Sequence, residues 1–311
     1  MTRTLSILLL IVASVSFSSA SDAQTRTVTI FFTGFVQGNF GPCGCKLSPS
    51  GGLARRAGYV SDYSHKKDGY VIQIDLGNYF MPLGPHSTPV NALMLNSLES
   101  LPLSVLNLAP DDLFLWQKLS RETGRTQVIS TNLTPRSPSQ PVPRRYAMVE
   151  IPASDLHLQD NLRIGFLGIS DPRRVRPNSG FAGFDPVEAI SRVKGEVMRQ
   201  ADFLVVLADY HRKPGPIEKD SLFYRLAMAH PEVYAILSTE KRFLLHRPEQ
   251  VNNAVILSSV ERGRYLGQLE ITLDAKGKVA GFEPEFIELQ EGVPEDQEFL
   301  RRQERLQASL P

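Results

Sequence analysis

Two cysteines are the residues best suited to chemistry in this chain of 311 residues, and only Gly44 separates them. Cys43 and Cys45 can pair with each other, but a ring closed over one intervening residue is tight and needs the backbone freedom of that glycine. A strained disulfide is more easily reduced than a structural one. Lys46 follows at once, and its positive charge favours the reactive thiolate. The spacing therefore predicts a thiol–disulfide site with Cys43 and Cys45 as its catalytic residues.

Two other uses of the cysteine pair stay open. An inert local disulfide is one, although a cross-link over so short a loop stabilises a fold only slightly. A partial metal site is the other, in which two thiolates would be joined by Asp209 or His211, short of the usual zinc ligand set. Haem attachment is excluded because the chain contains no Cys-x-x-Cys-His sequence.

Glycines and basic residues follow the cysteines. Gly51 and Gly52 come directly before a segment with helical spacing, and Arg55 lies in its first turn. The N-terminus of a helix attracts anions because its backbone N–H groups are unpaired. We therefore expect Lys46, Gly51, Gly52 and Arg55 to bind an anionic ligand or substrate beside the cysteines.

The first 23 residues have the features of a secretory signal peptide. Arg3 is followed by a mostly apolar run over residues 5–15 and then by small residues up to Ala23. The run is short for a hydrocarbon core of about 30 Å, so an uncleaved anchor is the weaker alternative. We expect residues 1–23 to be removed and residues 24–311 to be exported to the periplasm or beyond, with no membrane span. Disulfides persist in that environment.

The charge balance restricts the partners. The chain has 34 Lys and Arg residues against 33 Asp and Glu residues, a formal net charge of +1. Nucleic-acid binding depends on clustered positive charge, so that class is excluded. Hydrophobic residues make up 42%, which excludes a disordered chain. We expect the partner to be a small molecule or a redox protein of the cell envelope, and we expect no cofactor.

Short apolar runs alternate with amphipathic stretches, a pattern that predicts an α/β sandwich. The predicted strands are residues 28–33, 70–76, 103–106, 127–130, 145–151, 163–169, 203–207, 234–237 and 254–258, followed by a hairpin of 265–273 with 279–289. The predicted helices are residues 53–63, 89–98, 113–122, 186–199, 222–230 and 295–308. The Pro- and Ser-rich stretch 134–143 is expected to be a surface loop, so that residues 24–311 form one domain.

Four sequence landmarks occur in an order that resembles a known family. They are Gly-Gly-Leu-Ala-Arg-Arg at 51–56, Ile-Asp-Leu-Gly-Asn at 74–78, Leu-Arg-Ile-Gly-Phe-Leu-Gly-Ile at 162–169 and Gly-Arg-Tyr-Leu-Gly-Gln-Leu at 263–269. The chain resembles the calcineurin-like metallophosphoesterases over residues 27–274, in particular the N-terminal domain of bacterial 5′-nucleotidases and UDP-sugar hydrolases. The resemblance implies a four-layer α/β sandwich, with two mixed β-sheets flanked by helices. We expect no C-terminal nucleotidase substrate domain.

The resemblance also implies where two metal ions would bind, and the sequence departs from the family at those positions. Phe35 and Gln37 stand where the family has Asp-x-His, and Asn78 stands where it has the bridging Asp. Asn107-Leu108-Ala109-Pro110 stands in place of Gly-Asn-His-Glu, and Asp209 stands in place of a His. Residues 237–241, where the family has Gly-His-x-His, contain no His. A two-metal site needs several carboxylate and imidazole ligands, and neutral amides bind transition metals weakly. We therefore expect the dinuclear centre, and any metal ligand, to be absent.

The cysteines resemble an exported branch of these proteins, in which some members carry selenocysteine in a Pro-Cys-Gly-Cys-like motif. That resemblance implies redox or nucleophilic chemistry in the loop after the first strand. The sequence thus predicts an exported phosphoesterase-like protein without the dinuclear metal ligands, thiol-redox active at Cys43 and Cys45. A metal-dependent phosphoester hydrolase of 5′-nucleotidase type and a noncatalytic binding protein that uses the vestigial cleft are the alternatives.

Overall fold

The computed structural model describes residues 26–42, 49–211, 215–240 and 247–309. Within those ranges the strands are β1 Arg26–Thr33, β2 Tyr70–Asp75, β3 Leu103–Asn107, β4 Gln127–Ile129, β5 Leu133–Pro135, β6 Tyr146–Ile151, β7 Leu162–Ser170, β8 Phe181–Gly183, β9 Phe203–His211, β10 Val233–Glu240, β11 Glu249–Val251, β12 Ala254–Val260, β13 Tyr265–Leu273 and β14 Val279–Glu288. The α-helices are α1 Leu53–Lys66, α2 Ser87–Ser100, α3 Trp116–Leu119, α4 Ala153–Leu156, α5 Pro186–Val197, α6 Leu222–Ala229 and α7 Gln297–Ser309.

Two six-stranded mixed sheets stack face to face. The first has the strand order β14-β13-β1-β2-β3-β4, in which β1 to β4 are parallel and β13 and β14 are antiparallel additions. The second has the order β11-β12-β10-β9-β7-β6, in which β12, β10, β9 and β7 are parallel. The predicted α/β architecture of two mixed sheets with flanking helices is confirmed.

The alternation of side chains along β1 shows how the layers form. Ile30 and Phe32 point into the apolar core between the two sheets, whereas Phe31 points to the opposite face. There its ring meets that of Tyr63 in α1 edge-to-face, with centroids 5.0 Å apart. Helices α2 and α7 contribute to the apolar cluster on the outside of the first sheet, and α5 and α6 to that outside the second. The order is therefore helix, sheet, sheet, helix.

Several short elements differ from the sequence prediction, and α4 and β11 were not predicted. Residues 113–122 were expected to form one helix, but the chain forms a 3₁₀ helix over Pro110–Leu115 followed by the short α3. Asp112 explains the difference, because its carboxylate turns inward to accept backbone N–H groups of another loop. A small third sheet of β5 and β8 was not predicted, since its strands have three residues each.

Helix α1 begins after the two glycines, as predicted. Gly52 has φ of 102°, and a side chain there would press against Gly41 and Pro42. The N–H of Leu53 donates to the carbonyl of Phe40 at 2.9 Å. The start of α1 is thus fixed against the chain segment that leads into the cysteines.

Gly58 tests how closely the C-terminal segment packs on α1. A Cβ at this position would lie 2.2 Å from the carbonyl oxygen of Pro294, a backbone atom. We expect Gly58→Ala to lower the free energy of unfolding by about 1–3 kcal/mol through overpacking, although alanine is the better helix former. Gly195 in α5 has no heavy atom within 4 Å of the same position, so Gly195→Ala should raise stability by about 0.5–1 kcal/mol. Urea denaturation compares them, and effects of equal sign would contradict this packing.

Candidate functional site

The parallel strands of both sheets end at one edge of the sandwich, called here the strand-end face. Asn107, the last residue of β3, crosses between the sheets at this face. Its side-chain N–H group donates to the carbonyl of Leu76 in the first sheet and to that of Ile169 in the second, each at 3.0 Å. Because one buried amide serves carbonyl groups of both sheets, it holds their ends in register.

The centre of the strand-end face is an ion-pair cluster of Arg174, Asp209, Asp111 and Asn78, called here the Arg174 cluster. Arg174 donates from Nη1 to Asp209 Oδ2 at 2.7 Å and from Nη2 to Asp111 Oδ2 at 2.6 Å. Asn78 Nδ2 donates to Asp209 Oδ1 at 2.6 Å, and Asn78 Oδ1 lies 3.5 Å from Arg174 Nη2. Asp209 lies in β9 and Arg174 follows β7, whereas the other two follow strands of the first sheet. One guanidinium therefore joins the ends of both sheets.

The charges of the Arg174 cluster fix its protonation. Burial acts to lower the pKa of Arg174, but the carboxylates of Asp209 and Asp111 outweigh it and raise that pKa above its ordinary value. The guanidinium is thus permanently charged, and its carbon lies 5.9 Å from the ring centroid of Phe35. Asp209 is fully buried, and a buried carboxylate without a cation is strongly destabilising. Arg174 supplies that cation.

Three residues beside the Arg174 cluster adopt a strained backbone. Phe35, Gln37 and Asn78 have φ of 56°, 52° and 54°, a left-handed region that residues other than glycine rarely occupy. The N–H of Phe35 donates to Gly77, and that of Gln37 to Asn78, each at 2.8 Å. Such strain persists only where surrounding bonds over-determine it, and it is concentrated at functional sites.

Asp112 holds the loop that presents Asn78. Its carboxylate accepts the backbone N–H of Asn78 at 2.8 Å and that of Phe80 at 3.2 Å. Burial raises the pKa of Asp112 to about 8, the N–H of Phe80 opposes the rise, and the negative charges of Asp75 and Asp209 add to it. The group is thus a buried acid that takes up a proton in the neutral pH range.

A second buried ion pair lies at the ends of β1 and β2. Asp75 accepts the hydroxyl of Thr33 at 2.6 Å, and its Oδ2 lies 3.7 Å from Nη1 of Arg56. Burial raises the pKa of Asp75 to about 6, against the opposing effects of Arg56 and Thr33. All three side chains are almost completely buried. This pair supports the loops of the strand-end face from within.

The side chains at the strand-end face do not fit the two-metal centre that the sequence resemblance implies. Phe35, Gln37 and Asn78 offer no anionic oxygen, and Asp209 is already bonded to a guanidinium at 2.7 Å. A dication bound to Asp209 would require the space and the charge pairing that Arg174 now has. Within the ranges described, no three His, Cys, Asp or Glu side chains are grouped as metal ligands.

The predicted catalytic residues Cys43 and Cys45, with Lys46, lie outside the described residues, as does the predicted signal peptide 1–23. Those assignments stay predictions. The chain on either side of the cysteines is described: Pro42 packs on Gly52, and the carbonyl of Pro49 accepts Nη1 of Arg55 at 2.6 Å. Both flanks of the cysteine segment are therefore held at the start of α1.

Arg55 was predicted to bind an anion, and its guanidinium already has three acceptors. It donates to Glu295 at 2.9 Å, to the carbonyl of Pro49, and to the carbonyl of Leu289 at 3.1 Å. The N–H of Gly51 also donates to Leu289, at 2.8 Å. These bonds anchor the described flank after the cysteines, residues 49–51, to the C-terminal part of the chain. The anion-binding roles of Arg55, Gly51 and Gly52 stay predictions.

The cysteine flank adjoins the Arg174 cluster through the backbone. The N–H of Arg262 donates to the carbonyl of Phe35 at 2.9 Å, and the next residue, Gly263, packs on Gly51. Sequence reasoning missed Arg174 and Asp111 as site residues. The available signal was the basic loop 171–176 directly after a strand, whose end had to share a face with the other parallel strands.

Replacing Asp209 tests the energy of the Arg174 cluster. Asp209→Asn keeps the side-chain shape but leaves the partly buried guanidinium without its buried partner, so we expect a loss of about 2–4 kcal/mol in the free energy of unfolding. Glu188→Gln is the matched control, because the Glu188–Arg192 pair is exposed on α5 at 3.2 Å, and such pairs contribute about 0.5 kcal/mol or less. Equal losses in urea denaturation would contradict the importance of the cluster.

Asp112 makes stability depend on pH. The folded protein holds a proton on Asp112 up to a pKa of about 8, whereas the unfolded chain releases it near the ordinary value of 3.8. The folded state binds more protons between those values, so the free energy of unfolding should fall as the pH rises from about 4 to about 8. Asp112→Asn removes the titrating group and should flatten this decline in urea titrations at several pH values. An unchanged slope in the variant would show that another group is responsible.

Comparison with known proteins agrees with the fold. No protein-family model matches the chain. The uncharacterised metallophosphoesterase YunD of Bacillus subtilis is 31% identical over 119 residues, which cover 38% of this chain and 24% of YunD. Within the described residues, no helix has the length and apolar character needed to cross a membrane.

Three solved structures are similar over most of the chain. The calcineurin-like phosphoesterase YfkN of Bacillus subtilis has a TM-score of 0.74 at 14% identity and covers 92% of this chain and 98% of its own. The sulfate thiohydrolase SoxB of Thermus thermophilus has a TM-score of 0.73 at 15% identity, and the match covers 91% of this chain and 60% of SoxB. A 5′-nucleotidase precursor from the same organism has a TM-score of 0.71 at 18% identity, and the match covers 91% of this chain and 59% of the precursor. The chain thus spans about three fifths of the last two. These structures show that the chain has the fold of calcineurin-like phosphoesterases, and its sequence is similar to YunD over 38% of its length.

Proposed function

We propose that this chain is an exported metallophosphoesterase-like protein that lacks the dinuclear metal ligands and acts by thiol–disulfide exchange at Cys43 and Cys45. The observation that carries the proposal is the Arg174 cluster. Its guanidinium lies 2.7 Å from Asp209 and 2.6 Å from Asp111, where a metal-dependent hydrolase would need cations. A guanidinium cannot lower the pKa of a bound water as a metal ion does.

The charge of the Arg174 cluster also disfavours phosphoester hydrolysis, the principal alternative. Asp111 and Asp209 contribute two carboxylates against the one guanidinium of Arg174. Among the described residues of the cluster, an anionic phosphate ester would therefore meet two carboxylates and a guanidinium that is already paired with both. Family hydrolysis depends instead on cations that neutralise the charge of the phosphoryl group.

The cysteines supply chemistry that needs no metal ion. In the reduced protein, the thiolate of one cysteine attacks a disulfide of the partner and forms a mixed disulfide. The other cysteine then displaces the partner, which leaves as a dithiol while Cys43 and Cys45 become a disulfide. Two electrons and two protons pass to the partner, and a dithiol of the cell envelope returns them. Lys46 next to the pair favours the thiolate that begins the exchange.

Export of the protein rests on the N-terminal sequence. Arg3, the apolar run of residues 5–15 and the small residues up to Ala23 are typical of a cleaved signal peptide. An oxidising compartment gives a cysteine pair disulfide partners to exchange with, as the proposed chemistry requires.

A redox titration of the exported protein tests the proposal. The wild type, Cys43→Ser and Cys45→Ser are equilibrated in buffers of known potential, and intact mass spectrometry counts the alkylated thiols. We expect a chain that begins after Ala23 and, in the wild type alone, a two-electron transition at a potential above about −300 mV. Each variant retains one thiol, since the chain has two cysteines, and should lose all reduction of a disulfide substrate.

Three results would contradict thiol chemistry. A pair that stays oxidised below about −300 mV is a structural disulfide. Hydrolysis of a generic phosphate ester with added Mn²⁺, abolished by a chelator and unchanged in both serine variants, would establish the hydrolase. Ligand binding that is indifferent to both substitutions, without any turnover, would establish a noncatalytic binding protein.

A further inference from the structure

The oxygen atoms of three side chains face the guanidinium of Arg174 in the Arg174 cluster. Asp209 and Asp111 accept its hydrogen bonds at 2.7 and 2.6 Å, whereas the oxygen of the fully buried Asn78 reaches the same group only at 3.5 Å. Carboxylate and carboxamide oxygens are the ligands that hard dications such as Mn²⁺ and Ca²⁺ prefer. The donor set therefore suits a divalent cation, and its present occupant is a side chain of the protein.

The loop that carries Arg174 holds the guanidinium in this position. It is a short 3₁₀ helix, Pro172–Arg174, capped by Asp171, whose carboxylate accepts the N–H of Arg173 at 3.0 Å. The ring of Phe35 packs beneath the guanidinium. The guanidinium of Arg174 is thus covalently part of the chain and is positioned by a capped turn.

The guanidinium of Arg174 also links the two sheets, as a bound metal ion would. Asp111 lies in the 3₁₀ helix that follows β3 of the first sheet, and Asp209 lies in β9 of the second, so one guanidinium pairs with carboxylates beside both sheets and links them. A divalent ion bound to the same oxygens would join the sheets in the same way. The two cations cannot be present together, because the divalent ion would repel the guanidinium and compete with it for the same carboxylates.

We infer that the guanidinium of Arg174 is a built-in cation that closes a latent divalent-cation site formed by Asp111, Asp209 and Asn78. The inference concerns the strand-end face on which the proposed function rests, but it makes no use of the cysteines. It gives Arg174 a defined role: the arginine makes the two-sheet junction independent of metal supply, and it prevents divalent cations from binding there.

Mn²⁺ binding to Arg174→Ala tests this inference. The substitution removes the guanidinium that pairs with Asp111 and Asp209. Thermal melting with and without Mn²⁺, and elemental analysis after desalting, are compared with the wild type. We expect Mn²⁺ to leave the wild type unchanged, to raise the melting temperature of the variant, and to bind one ion per chain at least about tenfold more tightly than in the wild type.

Two matched variants locate the effect. Arg173→Ala removes the neighbouring guanidinium, which is 83% exposed and pairs with Asp171 outside the cluster, so it should respond to Mn²⁺ as the wild type does. The double variant Arg174→Ala/Asp209→Asn removes the buried carboxylate as well and should lose the response. Equal Mn²⁺ affinity in the wild type and Arg174→Ala would overturn the inference, and so would a response that survives in the double variant.

Refolding keeps the test decisive if Arg174→Ala does not fold alone. Recovery of native Trp116 fluorescence on refolding in Mn²⁺, and not without it, is the expected result, and failure in both conditions overturns the inference. Arg174→Lys retains a cation and should fold without responding to Mn²⁺; a response there would also overturn it. The redox titration of Cys43 and Cys45 is independent of Mn²⁺ binding. If the wild type shows the expected two-electron transition but Arg174→Ala binds no Mn²⁺, this inference is rejected and the proposed function is retained.

Discussion

The pairing of Arg174 with Asp209 and Asp111 is the interaction on which the strand-end face depends. Two six-stranded sheets bring the ends of their parallel strands to one edge, where Asp209 lies in β9 of the second sheet and Asp111 lies in the 3₁₀ helix after β3 of the first. Asp209 is fully buried, and a buried carboxylate is tolerated only next to a positive charge or with a bound proton. The guanidinium meets that requirement without any ligand from outside the chain.

Other features of the face follow from this constraint. Asn107 keeps the two sheets in register, so that carboxylates of separate sheets can reach one guanidinium. Asp112 fixes the loop that presents Asn78. The left-handed backbone of Phe35 and Gln37 is held by bonds to that same loop. The strained backbone is thus held by hydrogen bonds around the Arg174 cluster.

The sheets could be predicted from the sequence, because buried strands such as β1 and β7 are short apolar runs and α1 follows a Gly-Gly pair. The Arg174 cluster could not. Its partners are 35 and 63 residues away along the chain, and no local pattern reports such a pairing. The prediction of one helix over residues 113–122 was wrong for the same reason, because the carboxylate of Asp112 accepts the backbone N–H of Asn78 in a loop that is distant along the chain. The landmarks of the family that the sequence resembles indicated where that family binds metal ions, but they gave no sign that Arg174 lies beside Asp209.

The described flanks of the cysteine segment connect to the Arg174 cluster, whereas the thiol chemistry proposed for Cys43 and Cys45 is separate from it. The described flanks of the cysteines, at Pro42 and Pro49, are anchored to α1 and to the C-terminal part of the chain. Through Gly51, Gly263 and Arg262, the same flank reaches Phe35 beneath the guanidinium. A face held together by its own guanidinium would support the loop proposed to react at Cys43 and Cys45, because the geometry of such a face does not vary with metal supply.

The central claim is that a guanidinium occupies the place of a metal ion, and anomalous X-ray diffraction tests it most directly. Crystals of the wild-type protein grown in Mn²⁺ would be measured at the manganese absorption edge. The account predicts density for the Arg174 guanidinium between Asp111 and Asp209 and no anomalous peak at those carboxylates. A manganese peak within bonding distance of Asp209, with Arg174 displaced from it, would contradict the account.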